Sequence, residues 1–220
     1  MTFSEIKQLL LSNSRQLELC EAYHDIKEAT TIGAIIDIAI ANNLIEWAYK
    51  SGIFDDTLLS EIPEVDLNAK GIFSSGSHSI SNPLLPIIIL GNADVAIDLS
   101  SSAKADIIAL GNSSVIISMV DSTFAKMKFS GNSTSNINSA GSGTICCVFE
   151  NGGLNEITIA ATADATITTR NNAALTITLN DSSFGKLSAF ESSSIYYIQH
   201  GFSEIKASAF NNATINTIPL

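Results

Sequence analysis

The residues with chemical potential are few and scattered. The histidines, His24, His78 and His200, sit in unrelated segments, with no H-x-x-x-H pair and no cysteine at ligand spacing. Cys20, Cys146 and Cys147 form neither a metal-ligand spacing nor a disulfide framework, and they read as small apolar residues in a reduced compartment. No nucleophile elbow, phosphate loop or dinucleotide fingerprint occurs. GNADVAIDL looks superficially like a calcium-binding nonapeptide, but its aspartate does not recur in phase. A polysaccharide lyase needs convergent acidic and basic side chains. Arg15 and Arg170 are the only arginines, and no such group emerges. The expectation is therefore no catalytic, cofactor-binding or metal residue, and no enzyme.

One constellation remains. Lys126, Lys128, Lys186 and Lys206 recur in phase, and Phe124 and Phe184 precede lysines in the related stretches DSTFAK and DSSFGK. Such a basic, aromatic-flanked patch can meet an acidic protein partner or an anionic glycan. Solvated lysines that discourage edge aggregation are the plainer alternative.

The elements that would position these residues follow from a ten-residue repeat. From Gly91 onward the chain reads GNADVAIDLS, SSAKADIIAL, GNSSVIISMV and so on to NNATINTIPL. The seventh column runs Ile97, Ile107, Ile117, Met127, Ile137, Cys147, Ile157, Ile167, Ile177, Leu187 without a polar residue. Columns five and nine are mostly apolar or small and columns six and eight mostly polar, the period-two signature of a half-buried strand. Columns one to three carry Gly, Asn, Ser and Ala, the residues of tight turns.

A period of twenty overlies the first, because Asn92, Asn112, Asn132, Asn172 and Asn212 fall only in alternate units. The pattern predicts a mainly β fold, a parallel β-solenoid of about 20 residues per coil with two unlike sides. The general crossover preference makes it right-handed. Equivalent asparagines would stack into an amide ladder. An antiparallel meander would also alternate two turns, but it gives no reason for columns to persist without insertion. Thr158, Thr166, Thr168, Thr176 and Thr178 divide between the two sides, so no ice-matching threonine array is expected.

Residues up to about Ile62 read as helix. Leu19, Tyr23 and Ile26 form one stripe; Ile36, Ala39, Ile40, Leu44 and Trp47 form a second, with Thr30 or Thr31 as N-cap and Gly52 as the stop. Pro63 closes this region, and SNPLLPIIIL at 81–90 already fits a strand. The organisation is thus a helical capping or interaction segment, 1–66, and a solenoid, 67–220. Solenoid ends expose strand edges, so self-association through the C-terminal edge is the expected oligomer contact.

Composition narrows the function. The formal net charge is −11, with acidic excess in both regions, which argues against nucleic acid and anionic membrane surfaces. MTFSEIKQLLLS lacks a signal h-region, so a cytoplasmic product is expected, with virion association compatible.

The stretches LELCEAYHDIKEAT, NNLIEWAYKSGIFDDTLL, VDLNAKGIF, LGNADVAIDL and LGNSSVIISMVDS resemble a group of uncharacterised proteins from Bacteroides-type gut bacteria and their phages or prophages. Those proteins join a short helical region to GNS-x-V repeats. The resemblance implies a phage-linked or host-interaction role and no particular site residues. The expected function is a non-enzymatic structural or protein-interaction module without cofactor; the alternative is a glycan-binding, adhesin-like module.

Overall fold

The computed structural model describes residues 2–16, 20–150 and 152–219, with side chains of 13–16 and 20–22 left aside. It divides into two compact units, Met1–Ser74 and Ser75–Leu220.

The first unit holds α1 (Phe3–Gln16), α2 (Cys20–Glu28), α3 (Ile32–Ala41), α4 (Ile45–Lys50), α5 (Asp56–Ser60), α6 (Glu64–Asn68) and a short β1 (Ile72–Phe73). The starts of α1, α3 and α5 are set by side-chain caps. Thr2 and Glu5 form a reciprocal capping box at α1, where the bonds from Thr2 hold the Glu5 carboxyl below its ordinary range. Thr31, not Thr30, caps α3 by accepting from the Ala34 N–H at 3.1 Å. Asp55 caps α5 through the Leu58 N–H at 2.8 Å. Ile6, Leu10, Ile26, Ile35, Ile36, Ile45, Leu58 and Leu67 are among its buried residues.

Two expectations need correction here. The stripe from Ile36 to Trp47 belongs to two helices, because Asn43 adopts φ +55° between α3 and α4. Asparagine tolerates this left-handed turn, and the Leu44 N–H then bonds the Ala39 carbonyl at 2.7 Å. Pro63 does not close the helical region. It opens α6, where a missing N–H costs nothing because the first turn has no intrahelical acceptor. Gly52, at φ +69°, follows the end of α4 as anticipated. Leu19 lies outside the described residues.

The second unit is a β-solenoid whose strands are all parallel. One sheet, here sheet I, runs β3 (Ile87–Ile89), β5 (Lys104–Ala109), β7 (Phe124–Ser130), β9 (Thr144–Glu150), β11 (Asp164–Arg170), β13 (Phe184–Ala189), β15 (Glu204–Ala209). Sheet II runs β2 (Ser77–Ser81), β4 (Asp94–Leu99), β6 (Ser114–Met119), β8 (Thr134–Ser139), β10 (Leu154–Ile159), β12 (Ala174–Leu179), β14 (Ser194–Gln199), β16 (Thr214–Thr217). Within each sheet, from Asp94 on, every residue pairs with the one twenty positions away, as in Ile117↔Ile137 and Ile167↔Leu187. Parallel pairing at that fixed offset excludes the antiparallel meander.

Within the stretch 81–90, strand is confined to Ser81, the end of β2, and to Ile87–Ile89. Pro83 and Pro86 have no N–H to give a ladder, so the chain bulges outward and leaves Leu84 99% exposed.

Many corners, among them those at Ala103, Ala173, Ser193 and Ala213, are four-residue turns from column ten to column three. In these turns the N–H of column three bonds the preceding column-ten carbonyl, as in Ala103 to Ser100 at 3.1 Å and Ala173 to Arg170 at 3.1 Å. Column one takes a left-handed φ, which explains its Gly, Asn and Asp; Ser101 (φ +60°), Ala161 (φ +60°) and Glu191 (φ +64°) are the costly exceptions. Ser193 and Ser203 in column three add a second bond to the same carbonyl, from Ser193 Oγ to Phe190 at 2.8 Å and from Ser203 Oγ to His200 at 2.9 Å.

At three corners the column-one N–H is capped by a carboxylate of the next coil. Asp121 accepts from Ser101, Asp181 from Ala161 and Glu191 from Asn171, at 3.0, 3.0 and 2.6 Å. The amide ladder also forms. Asn112 donates to Asn92 at 3.4 Å and Asn132 to Asn112 at 3.2 Å, and the run stops where Gly152 replaces the next asparagine.

The core is the stack of inward columns. Ile97, Ile107, Ile117, Met127, Ile137, Cys147, Ile157, Ile167, Ile177 and Leu187 are all buried. Burying side chains of this size stabilises by about 1.5–3 kcal/mol each. Sheet I contributes Phe129 and Phe149, stacked at 5.1 Å, and the facing strand β8 is small and polar at Ser135 and Ser139, so bulk on one sheet is offset by small residues on the other. Ser135 and Asn155 bond each other at 2.9 Å inside the coil, and Asn155 reaches the Gly153 and Ala174 carbonyls. That satisfaction is what makes a polar rung tolerable in the interior.

Candidate interaction surface

Outward side chains in this solenoid come from columns four, six and eight, so the ladder register fixes which of them are neighbours. Phe124, Lys126 and Lys128 all lie on β7, Phe184 and Lys186 on β13, and Lys206 on β15. All belong to the outer face of sheet I, as the sequence pattern implied. They do not make one patch. The register places Cys146 and Val148 on β9 and then Thr166 and Thr168 on β11 between the two groups. Three rungs at about 4.8 Å put roughly 14 Å between Lys126 and Lys186.

The first group gains a member that the sequence reading passed over. Lys104 pairs in register with Phe124, and Asp106 with Lys126. Lys104, Asp106 and Phe124, together with Pro83, Leu84, Leu85 and Pro86, line a shallow depression. Lys128 is held by Glu150 at 3.3 Å, so its charge is offset locally.

The second group is the less compensated. Lys186 and Lys206 are directly paired in register, and both are exposed. Like charges facing each other across a ladder destabilise it. Lys206 lies over the Phe184 ring, 5.5 Å from its centroid, and Arg170 over Phe190 at 5.9 Å. Phe190 stacks on Phe210 at 4.8 Å, which extends an aromatic floor along this edge. Glu204 and Asp164 flank Phe184 in register and temper the positive field.

The contrast with the opposite face is the larger signal. Every Lys and Arg from residue 75 onward (Lys104, Lys126, Lys128, Arg170, Lys186, Lys206) lies on a sheet I strand. The outer face of sheet II has no cation, and its charges are Asp94 and Asp98 on β4 and Glu156 on β10. The rest of that face is mostly hydroxyl, amide and small side chains, with Ile116, Leu154 and Tyr196 exposed among them. The threonines divide as expected: Thr158, Thr176 and Thr178 on sheet II, Thr166 and Thr168 on sheet I.

The remaining reactive types stay apart. Among the described residues no group of three or more His, Cys, Asp or Glu side chains could hold a metal ion. His24 meets Tyr23 edge-on at 5.8 Å, and the His78 Nε2 sits 2.7 Å from the Ser75 carbonyl oxygen. Cys147 is buried in the column-seven core, where loss of solvation pushes its thiol well above the ordinary range. Its neighbour Cys146 points the other way, half-buried on the face of sheet I. Among the described residues no helix is long and apolar enough to cross a membrane. No protein-family model, curated protein or solved structure matches this chain.

Proposed function

We propose that this chain is a non-enzymatic interaction module, a rigid solenoid that presents the cation-bearing face of sheet I to an acidic partner. The observation that carries this reading is the confinement of every solenoid cation to one face, including the directly facing pair Lys186 and Lys206. A ladder under selection for stability alone has no use for two facing lysines. The resemblance to phage-associated Bacteroides-type proteins makes a mobile-element structural component the matching biological setting. A second reading is supported by Phe184 beneath Lys206, because a ring beside paired ammonium groups also suits an anionic glycan.

Immobilised polyglutamate, a sulfated glycan and a neutral glycan separate the two readings by biolayer interferometry. The proposal expects salt-sensitive capture on polyglutamate that falls at least tenfold in the variant Lys126→Glu/Lys186→Glu/Lys206→Glu. Capture by the sulfated glycan alone selects the second reading. No capture on any anionic surface, or equal capture of the variant, overturns both.

A further inference from the structure

The charged rows of the two outer faces have the same spacing. On sheet II the acidic rows are β4, with Asp94 and Asp98, and β10, with Glu156; the outward residues of the intervening β6 and β8 are uncharged. On sheet I, Lys126 and Lys186 mark β7 and β13. Both pairs of rows are separated by three coils, because β4–β6–β8–β10 and β7–β9–β11–β13 are each runs of adjacent strands. With one rung spacing throughout, roughly 14 Å separates the rows on either face.

We infer that sheet I of one molecule packs on sheet II of a second copy, staggered so that β4 and β10 of one lie over β7 and β13 of the other. This rests on the reading of sheet I as a face for an acidic partner, and it names that partner. The stagger satisfies both salt rows at once and brings no like charges together. Asp106 on β5 meets the serines of β2; Asp164 on β11 meets Thr134, Asn136 and Asn138 of β8; Glu204 on β15 meets Ala174, Thr176 and Thr178 of β12. Between the salt rows, exposed Ile116 on β6 falls over Cys146 and Val148 on β9, an apolar centre inside a polar frame.

Six overlapping rungs of six-residue strands cover about 29 by 20 Å, or roughly 1,200 Å² over both partners. That reaches the lower bound of specific interfaces, about 1,200 Å². The contact is heterologous. Each added copy leaves one sheet I and one sheet II unoccupied, so assembly is open-ended.

Sedimentation velocity of the full chain over a hundredfold concentration range tests this, at low salt and at about 1 M salt, where the screening length is about 3 Å. Wild type should sediment faster as concentration rises at low salt, and lose that dependence at high salt. Lys126→Glu/Lys186→Glu and Asp98→Lys/Glu156→Lys should each stay at the monomer value. An equimolar mixture of the two should associate again, because each reversed face then finds its complement. Circular dichroism melts confirm that the variants fold, and the mixture rescues only folded chains. A concentration-independent wild type, continued self-association of Asp98→Lys/Glu156→Lys, or a mixture that stays monomeric overturns the stacking. Polyglutamate capture retained by a strictly monomeric wild type sinks this inference alone, whereas its absence sinks the reading beneath it.

Discussion

Gly153 offers a severe test of how tightly these coils are stacked. A Cβ built there would lie 2.1 Å from the Ser133 carbonyl oxygen and 3.1 Å from its carbon, at a backbone φ of +132°. Ordinary carbon–oxygen contacts begin at about 3.3 Å, so Gly153→Ala demands a shift of roughly 1 Å between neighbouring coils. The atom that would have to yield is backbone in the adjacent corner. The unfavourable φ costs an L residue about 1–2 kcal/mol, and opening the corner exposes or strands hydrogen-bonding groups for about another 1–3 kcal/mol. Together that is about 2–5 kcal/mol. At 2–4 °C per kcal/mol for a chain of this size, Tm should fall by roughly 4–20 °C. Gly131→Ala is the matched control. Its φ is +74° and its Cβ would stand 3.0 Å from the Gly111 carbonyl oxygen, in a column where Asn171 and Glu191 already adopt φ +57° and +64°. It should cost about 1 kcal/mol, or 2–4 °C. Far-UV circular dichroism melts of both variants beside wild type provide the measurement. If Gly153→Ala melts no lower than Gly131→Ala, the coils are looser at this corner than the geometry requires, and the reasoning fails.

Two further substitutions probe the corners. Asp181→Ala removes the acceptor of the Ala161 N–H and should cost about 1–2 kcal/mol, with faster hydrogen exchange at Ala161 and little change at Ser101, whose acceptor is Asp121. Gly152→Asn should lengthen the amide ladder, since a Cβ there meets only the Asn132 Oδ1 at 3.7 Å; urea titration should show a gain of about 0.5–1.5 kcal/mol.

The solenoid was legible because stacking makes the sequence periodic. Inward positions such as Ile117 and Ile167 see the same surroundings in every coil, so their side chains obey one rule. The helical unit has no such repetition. Its Asn43 break depends on a single residue entering the left-handed region, and the 3.6-residue stripe runs across it without a mark. Pro83 and Pro86 were visible, but Ile87–Ile89 beside them satisfied the strand pattern well enough to hide the bulge. The lysines were placed on the correct face because columns six and eight point outward. Their division into two groups, and the intrusion of Asp106, Asp164 and Glu204, became evident only when neighbouring coils were set in register. The column-one acids, Asp121, Asp181 and Glu191, did carry a sequence signal: a carboxylate recurring where Gly or Asn was expected.

Those corner carboxylates also give the solenoid a direction in time. Each one reaches back, from Asp121 to Ser101, from Asp181 to Ala161 and from Glu191 to Asn171, so a coil's corner amide is satisfied by the coil that follows it. A chain emerging from a ribosome N-terminus first would leave each of these three corners unfinished until the following coil arrived to complete it. Growth would resemble a zipper whose last tooth is always the weakest, closing in the order of synthesis.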